Sequence, residues 1–137
     1  MKIVLDTNCL VKVIMPNSYN TDVWRAFRLG KYSIAVSNEI LFEYHEILTK
    51  RYNGLIANTV IKELLESPNV ERVVPAYRFN LITADKDDNK FVDCAITAGA
   101  TYIVSNDRHF EELDNYDFPK VNLCKLEEFL AIIRINV

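Results

Sequence analysis

Apolar residues fall in short blocks along the chain, and the spacing within each block predicts its element. Lys2–Leu5 is a short continuous apolar run of the kind shown by strands buried on both faces. Asp22–Leu29 predicts a helix closed by Gly30, and Tyr32–Val36 a second strand. Ser37 or Asn38 then caps a long helix to about Tyr52. A further helical stretch, Leu55–Glu66, stops at Ser67-Pro68. Val70–Val74 predicts strand three, Asn89–Ala98 a helix closed by Gly99, and Tyr102–Ser105 strand four. Asp107–Leu113 predicts a short helix, Val121–Cys124 strand five, and the residues to Leu130 a last helix. Strands alternating with helices predict right-handed crossovers and an α/β fold of three layers (α/β/α), with a mostly parallel central sheet of about five strands. Ligands of such sheets bind beyond the carboxyl ends of the strands, where strand order reverses.

The polar interruptions of this pattern carry the candidate chemistry. In "VLDTNCLVKV", Asp6, Thr7 and Asn8 break an otherwise apolar run, which puts Asp6 at the carboxyl end of the first strand. Asp107, in "IVSND", falls just past the fourth, and Asp88 precedes the helix that leads back into the sheet. In "EILFEYHEIL", Ile40, Leu41, Tyr44, Ile47 and Leu48 share one helical face. Glu39 and Glu46 point away from that face, whereas Glu43 lies at its border, about 100° from its centre. Each acid also has an ordinary reading. Asp6 suits a turn, Asp88 and Asp107 suit helix caps, Glu43 a boundary position, and Asp93, opposite Phe91, Val92 and Ala95, a solvated face. Asp85 and Asp87 read as loop charges. Taken together, acids at two strand ends and on two neighbouring helical elements would converge in one pocket. Carboxylates so gathered raise one another's pKa values, and a divalent cation removes that penalty. All-oxygen ligands suit Mg²⁺ or Mn²⁺, and a water held there can attack a phosphodiester.

Composition narrows the picture. The 137 residues predict a single domain over 1–137, half hydrophobic and 26% charged. A net charge of −3 lacks the basic excess of a bulk-charge nucleic-acid binder, so such contact would need a local patch or bound metal. With only three glycines there is no glycine-rich phosphate loop. Cys9, Cys94 and Cys124 form no C-x-x-C pair and read as reduced, partly buried thiols. His45 and His109 have no evident partner and read as surface residues. The apolar run Ile3–Leu5 is too short for a signal peptide, and no stretch approaches the roughly 18 apolar residues of a membrane span. A soluble, cytoplasmic chain without membrane contact is expected.

Four blocks now fall into place. "IVLDTNCLV", "SNEILFEYHEIL", "DKDDNKFVDCAITAGATYIVSNDRHF" and "VNLCKLEEFL" resemble, in order and over nearly the whole chain, the PIN domain family (the PilT N-terminal nuclease fold). The likeness is greatest to its VapC-like branch, the toxin components of toxin–antitoxin pairs. The third block is the most specific part. The resemblance implies a metal-dependent ribonuclease using Mg²⁺ or Mn²⁺, whose acidic quartet maps onto Asp6, Glu43, Asp88 and Asp107. It implies Asp93 as a less regular fifth acid, and Asn8 and Ser105 as polar supports of the first and last aspartates. Asn89 departs from the pattern, where another acid is common. On this likeness RNA would be cut by hydrolysis to leave a 5′-phosphate, an antitoxin protein would be a partner, and the chain would form a homodimer.

Rival readings make different demands. A partner-docking module with little nuclease activity, or a housekeeping RNA-processing nuclease, would share the same fold. Arg25, Arg28 and Lys31, or Lys50 and Arg51, are candidate RNA-backbone contacts, and Phe42 and Trp24 candidate partner contacts; each is also an ordinary surface feature. A phosphatase of the haloacid dehalogenase type needs a second aspartate two residues after the first, where this chain has Asn8.

Overall fold

The computed structural model describes residues 1–16 and 18–135. Five strands, β1 (Lys2–Leu5), β2 (Ser33–Val36), β3 (Val70–Arg72), β4 (Tyr102–Val104) and β5 (Leu123–Cys124), form one sheet in the order β3-β2-β1-β4-β5. Every neighbouring pair is parallel. Ile3, Val4 and Leu5 of β1 are all fully buried. Successive strand residues point to opposite faces, so β1 is covered on both. The connections β1→β2→β3 run one way across the sheet and β3→β4→β5 the other; right-handed crossovers therefore put their helices on opposite sides. The three-layer α/β fold expected from the alternating pattern is the one observed.

Among the described residues six α-helices accompany the strands: α1 (Thr7–Val13), α2 (Thr21–Arg28), α3 (Asn38–Arg51), α4 (Gly54–Glu66), α5 (Asn89–Ala98) and α6 (Leu126–Ile135). The first was not expected. Asp6 is extended, and its carbonyl accepts the Cys9 and Leu10 amides at 3.0 Å each, so the polar triplet opens a helix instead of a turn. Ser37 caps α3 by accepting the Ile40 amide at 3.4 Å, and the buried Tyr44 of α3 donates its hydroxyl to the Leu5 carbonyl. That bond fixes the third helix to the tip of the first strand.

Other boundaries shift by a few residues. β3 ends at Arg72, β5 begins at Leu123, and α6 continues through Ile132 and Ile133 to Ile135, past Leu130. The segment after Asp107 is a 3₁₀ helix, Arg108–Asn115. Gly99 ends α5 at φ +64°, a left-handed conformation that side-chain-bearing residues rarely adopt, and the Ala100 amide closes the turn on the Ala95 carbonyl at 2.9 Å. The Thr101 amide then bonds the Lys2 carbonyl at 2.7 Å, delivering the chain into β4 beside β1. Trp24, expected at a partner surface, is instead buried against Phe27, with ring centroids 4.8 Å apart.

Candidate functional site

The direction of strand progression reverses between β1 and β4; Asp6 follows directly after β1, and Asp107 follows three residues after the end of β4. Leu5 pairs with Val104, so Asp6 and Ser105 leave the sheet side by side. The Ser105 hydroxyl donates to Asp6 Oδ2 at 2.7 Å and accepts the Asp107 amide at 3.0 Å. One buried serine thus sets the carboxylate of the first strand and the backbone carrying the second acid. Burial pushes the Asp6 carboxyl up, Ser105 and the Thr7 amide oppose this, and Asp107 and Glu43 push it further. Asp6 occupies the cap position of α1 yet makes no side-chain capping bond.

Asp88 repeats that pattern. It stands at the cap position of α5 without a side-chain capping bond. Its pKa is pushed up to about 6, by burial first and then by Asp85, Asp107 and Asp6, with His109 acting against them. His109 Nδ1 lies 3.3 Å from Asp88 Oδ2 and 3.3 Å from Asp107 Oδ1. Asp107 does cap, accepting the His109 amide at 2.9 Å, which fixes the ring beside it. Asp85 caps the 3₁₀ turn Lys86–Asp88 through the Asp87 amide. Asp85, Asp88 and His109 each bring a donor atom within 4.8 Å of the other two, and they are the one such set among the described residues. Asp6 and Asp107 border that set through Ser105 and His109, more widely spaced.

Glu43 reaches the same edge from α3. One oxygen accepts the Thr7 hydroxyl, and the other, Oε1, pairs with Lys90 Nζ at 2.8 Å. Lys90 also meets Asp87 Oδ1 at 3.1 Å and the Asp87 carbonyl at 3.0 Å. Thr7, the residue after Asp6, therefore orients Glu43. Neither Lys90 nor His109 was singled out by sequence; His109 is exposed, as expected, but has the partners that were not evident, standing between two of the acids. The signals available were local ones, Lys90 three residues after Asp87 and His109 two after Asp107.

Other candidates lie apart. Asp93 Oδ1 accepts the Phe79 amide at 3.1 Å, and its carboxyl is raised by burial and lowered by Phe79 and Arg78. It shares a small pocket with Ser37, Glu39, Pro75, Arg78 and Lys90. Asn8 is exposed on α1 and Phe42 on α3. Arg25 pairs with Asp22, Arg28 with Glu63, and Lys50 with Glu46. All three cysteines are buried and free, and burial pushes the Cys9 and Cys94 thiols up to about 12. No helix among the described residues is long and apolar enough to cross a membrane.

The donor set fits a hard divalent cation. A buried carboxylate, Asp6, and a partly buried one, Asp88, are left without capping bonds at helix starts, Asp107 helps to raise both, and all the acids offer oxygen. His109 adds one nitrogen that tolerates Mn²⁺ better than Mg²⁺.

The PIN domain family matches residues 2–109 of the chain. No curated protein matches it. Among solved structures, it resembles a chain of the crystal structure of VapBC2 from Rickettsia felis bound to a DNA fragment from their promoter. The identity is 19% and the TM-score 0.61, over 91% of this chain and 98% of that one, a likeness of fold.

Proposed function

This chain belongs to the PIN domain family, and from that premise we propose that it is a metal-dependent ribonuclease, the toxin of a toxin–antitoxin pair of the VapC type. The observation that carries the reading is the convergence of Asp6, Asp88 and Asp107 where the sheet reverses: Asp107 helps to raise the carboxyls of both Asp6 and Asp88, and Asp6 adds to the rise at Asp88. In this reading Asp6, Asp88 and Asp107 hold Mg²⁺ or Mn²⁺, and Glu43 completes the acidic quartet. The bound ion would polarise the scissile phosphate and lower the pKa of an attacking water. The chain's own groups prepare that chemistry. Ser105 holds Asp6 in place and tethers the backbone of Asp107. Thr7 and Lys90 hold Glu43. His109 fixes the gap between Asp88 and Asp107. Arg25, Arg28 and Lys50 are already paired with acids, so of the candidate RNA-backbone contacts Lys31 and Arg51 are the two without an ion pair among the described residues.

The fold shared with a chain of the VapBC2 structure supports an antitoxin protein as partner, and homodimerisation and a cytoplasmic setting belong to the same proposal. The test is incubation of purified protein with RNA and Mn²⁺, beside Asp6→Asn and Asp107→Asn. Cleavage lost in both variants, with the fold intact by circular dichroism, supports the proposal. Equal cleavage by wild type and both variants overturns it.

A further inference from the structure

Within the acidic edge sits a largely buried cation, Lys90. Its side chain is only 8% exposed, although it belongs to the most water-seeking residue type. The burial is made tolerable by complete pairing. An ammonium offers three protons, and Nζ has three oxygen partners: Glu43 Oε1 at 2.8 Å, Asp87 Oδ1 at 3.1 Å and the Asp87 carbonyl at 3.0 Å. The Phe91 ring adds a fourth wall, its centroid 5.2 Å from Nζ. The consequence for Glu43 is direct, because the Thr7 hydroxyl occupies its other oxygen. Both carboxylate oxygens are therefore engaged by the protein, while Asp6 and Asp88 stand at helix starts without capping bonds.

A nuclease centre with four acids ordinarily has enough negative charge for two divalent ions. Here one acid of the four is already neutralised, by a side chain that cannot leave the site. We propose that Lys90 is a built-in counter-cation that stands in for a second metal ion, so that this chain holds a single divalent cation, on the Asp6, Asp88 and Asp107 side. The inference rests on the metal-binding reading above and adds the stoichiometry to it. Lys90 is then a positioning residue. It keeps Glu43 on Thr7 and away from metal, and it leaves the other acids to one ion.

Mn²⁺ binding decides the matter without any RNA. The free Mn²⁺ signal in electron paramagnetic resonance counts bound ions per chain for the wild type, Lys90→Met, Lys90→Arg and Asp6→Asn. The expected result is one ion per chain for the wild type and for Lys90→Arg, which keeps the charge. Lys90→Met, folded by circular dichroism, should gain a second ion, and Asp6→Asn should lose the first. Two ions on the wild type, or one on a folded Lys90→Met, would overturn the inference and leave the metal reading standing. No ion on the wild type would overturn both. Should Lys90→Met fail to fold, Glu43→Gln with Lys90 intact replaces it: unchanged single occupancy supports the inference, and loss of the ion overturns it, because Glu43 would then be a ligand.

Discussion

Helix α5 has a partly buried acid at its start and a fully buried one within it, and the two are handled in opposite ways. Asp93 faces a backbone amide and Arg78, and both pull its carboxyl back down against burial and the lesser effect of Glu39. Asp88, at the start of the same helix, faces Asp85, Asp107 and Asp6, and three like charges add to the effect of burial. Lys90 lies between the two regions, lining the Asp93 pocket while pairing with Glu43. Burial by itself therefore does not distinguish a functional carboxylate from a structural one. Its neighbours do. An acid with its partners built in is finished, whereas an acid surrounded by acids awaits a cation from outside.

Mutations should separate the two regions, and the largest effect is expected at the strand tip. Asp6→Asn should lower Mn²⁺-dependent RNA cleavage by about 100-fold or more, read from product bands on a gel. Asp88→Asn should follow closely in activity while making the metal-free protein more stable. A carboxyl shifted from 3.8 to about 6 costs the folded state roughly 1–3 kcal/mol at neutral pH, which the amide removes. Chemical denaturation without metal, then with millimolar Mn²⁺, checks both halves, since the variant should also lose the stabilisation that Mn²⁺ confers on the wild type.

The acidic region should also respond to pH. Between pH 3.8 and about 6 the folded state binds a proton at Asp88 that the unfolded state has released. This group's contribution to metal-free stability is therefore favourable at the acid end and is lost as pH rises through about 6. Metal must displace that proton, so the Mn²⁺-induced rise in melting temperature should shrink as pH falls below about 6. A rise of constant size from pH 5 to 7.5 would remove Asp88 from the metal-binding set. The smallest effect is expected across the helix. Asp93→Asn keeps an oxygen for the Phe79 amide, and should change Mn²⁺ affinity less than about 2-fold and stability by about 1 kcal/mol or less. A loss of metal binding as large as that of Asp88→Asn would join the two regions into one site.

The apolar blocks made most of this architecture legible. β1, β2, β4 and α5 lie within a residue of where their patterns put them, because each is bounded by a polar stop or a glycine. α1 escaped because Asp-Thr-Asn is equally good turn chemistry; only the carbonyl of Asp6, accepting from Cys9 and Leu10, reveals a helix start. The positions of Asp6 and Asp107 followed from strand ends, and Glu43 from its place at the border of a buried face. What could not be read was whether the acids at cap positions were capping. Asp107 caps, Asp6 and Asp88 do not, and all three residue types look alike in sequence. Lys90 and His109 were illegible for a related reason. Beyond the local Asp87 and Asp107, their decisive partners, Glu43 at 47 positions and Asp88 at 21, are brought near by tertiary packing and not by helical spacing.

The order of strands in the sheet also sets when this chemistry can exist. β1 pairs with β2 through Ile3 and Ile34, a contact available early in synthesis, but its other neighbour contributes Tyr102 opposite Ile3. Until β4 emerges, a nascent chain carries Asp6 and Glu43 beside an open strand edge, with neither Ser105 to hold the first acid nor Asp107 to face it. Contacts this distant in sequence form slowly and late in folding. The proposed cutting centre is thus absent from every ribosome-bound intermediate that lacks the last third of the chain. In the proposed toxin, synthesis itself would impose a delay between the first residue and the first cleavage.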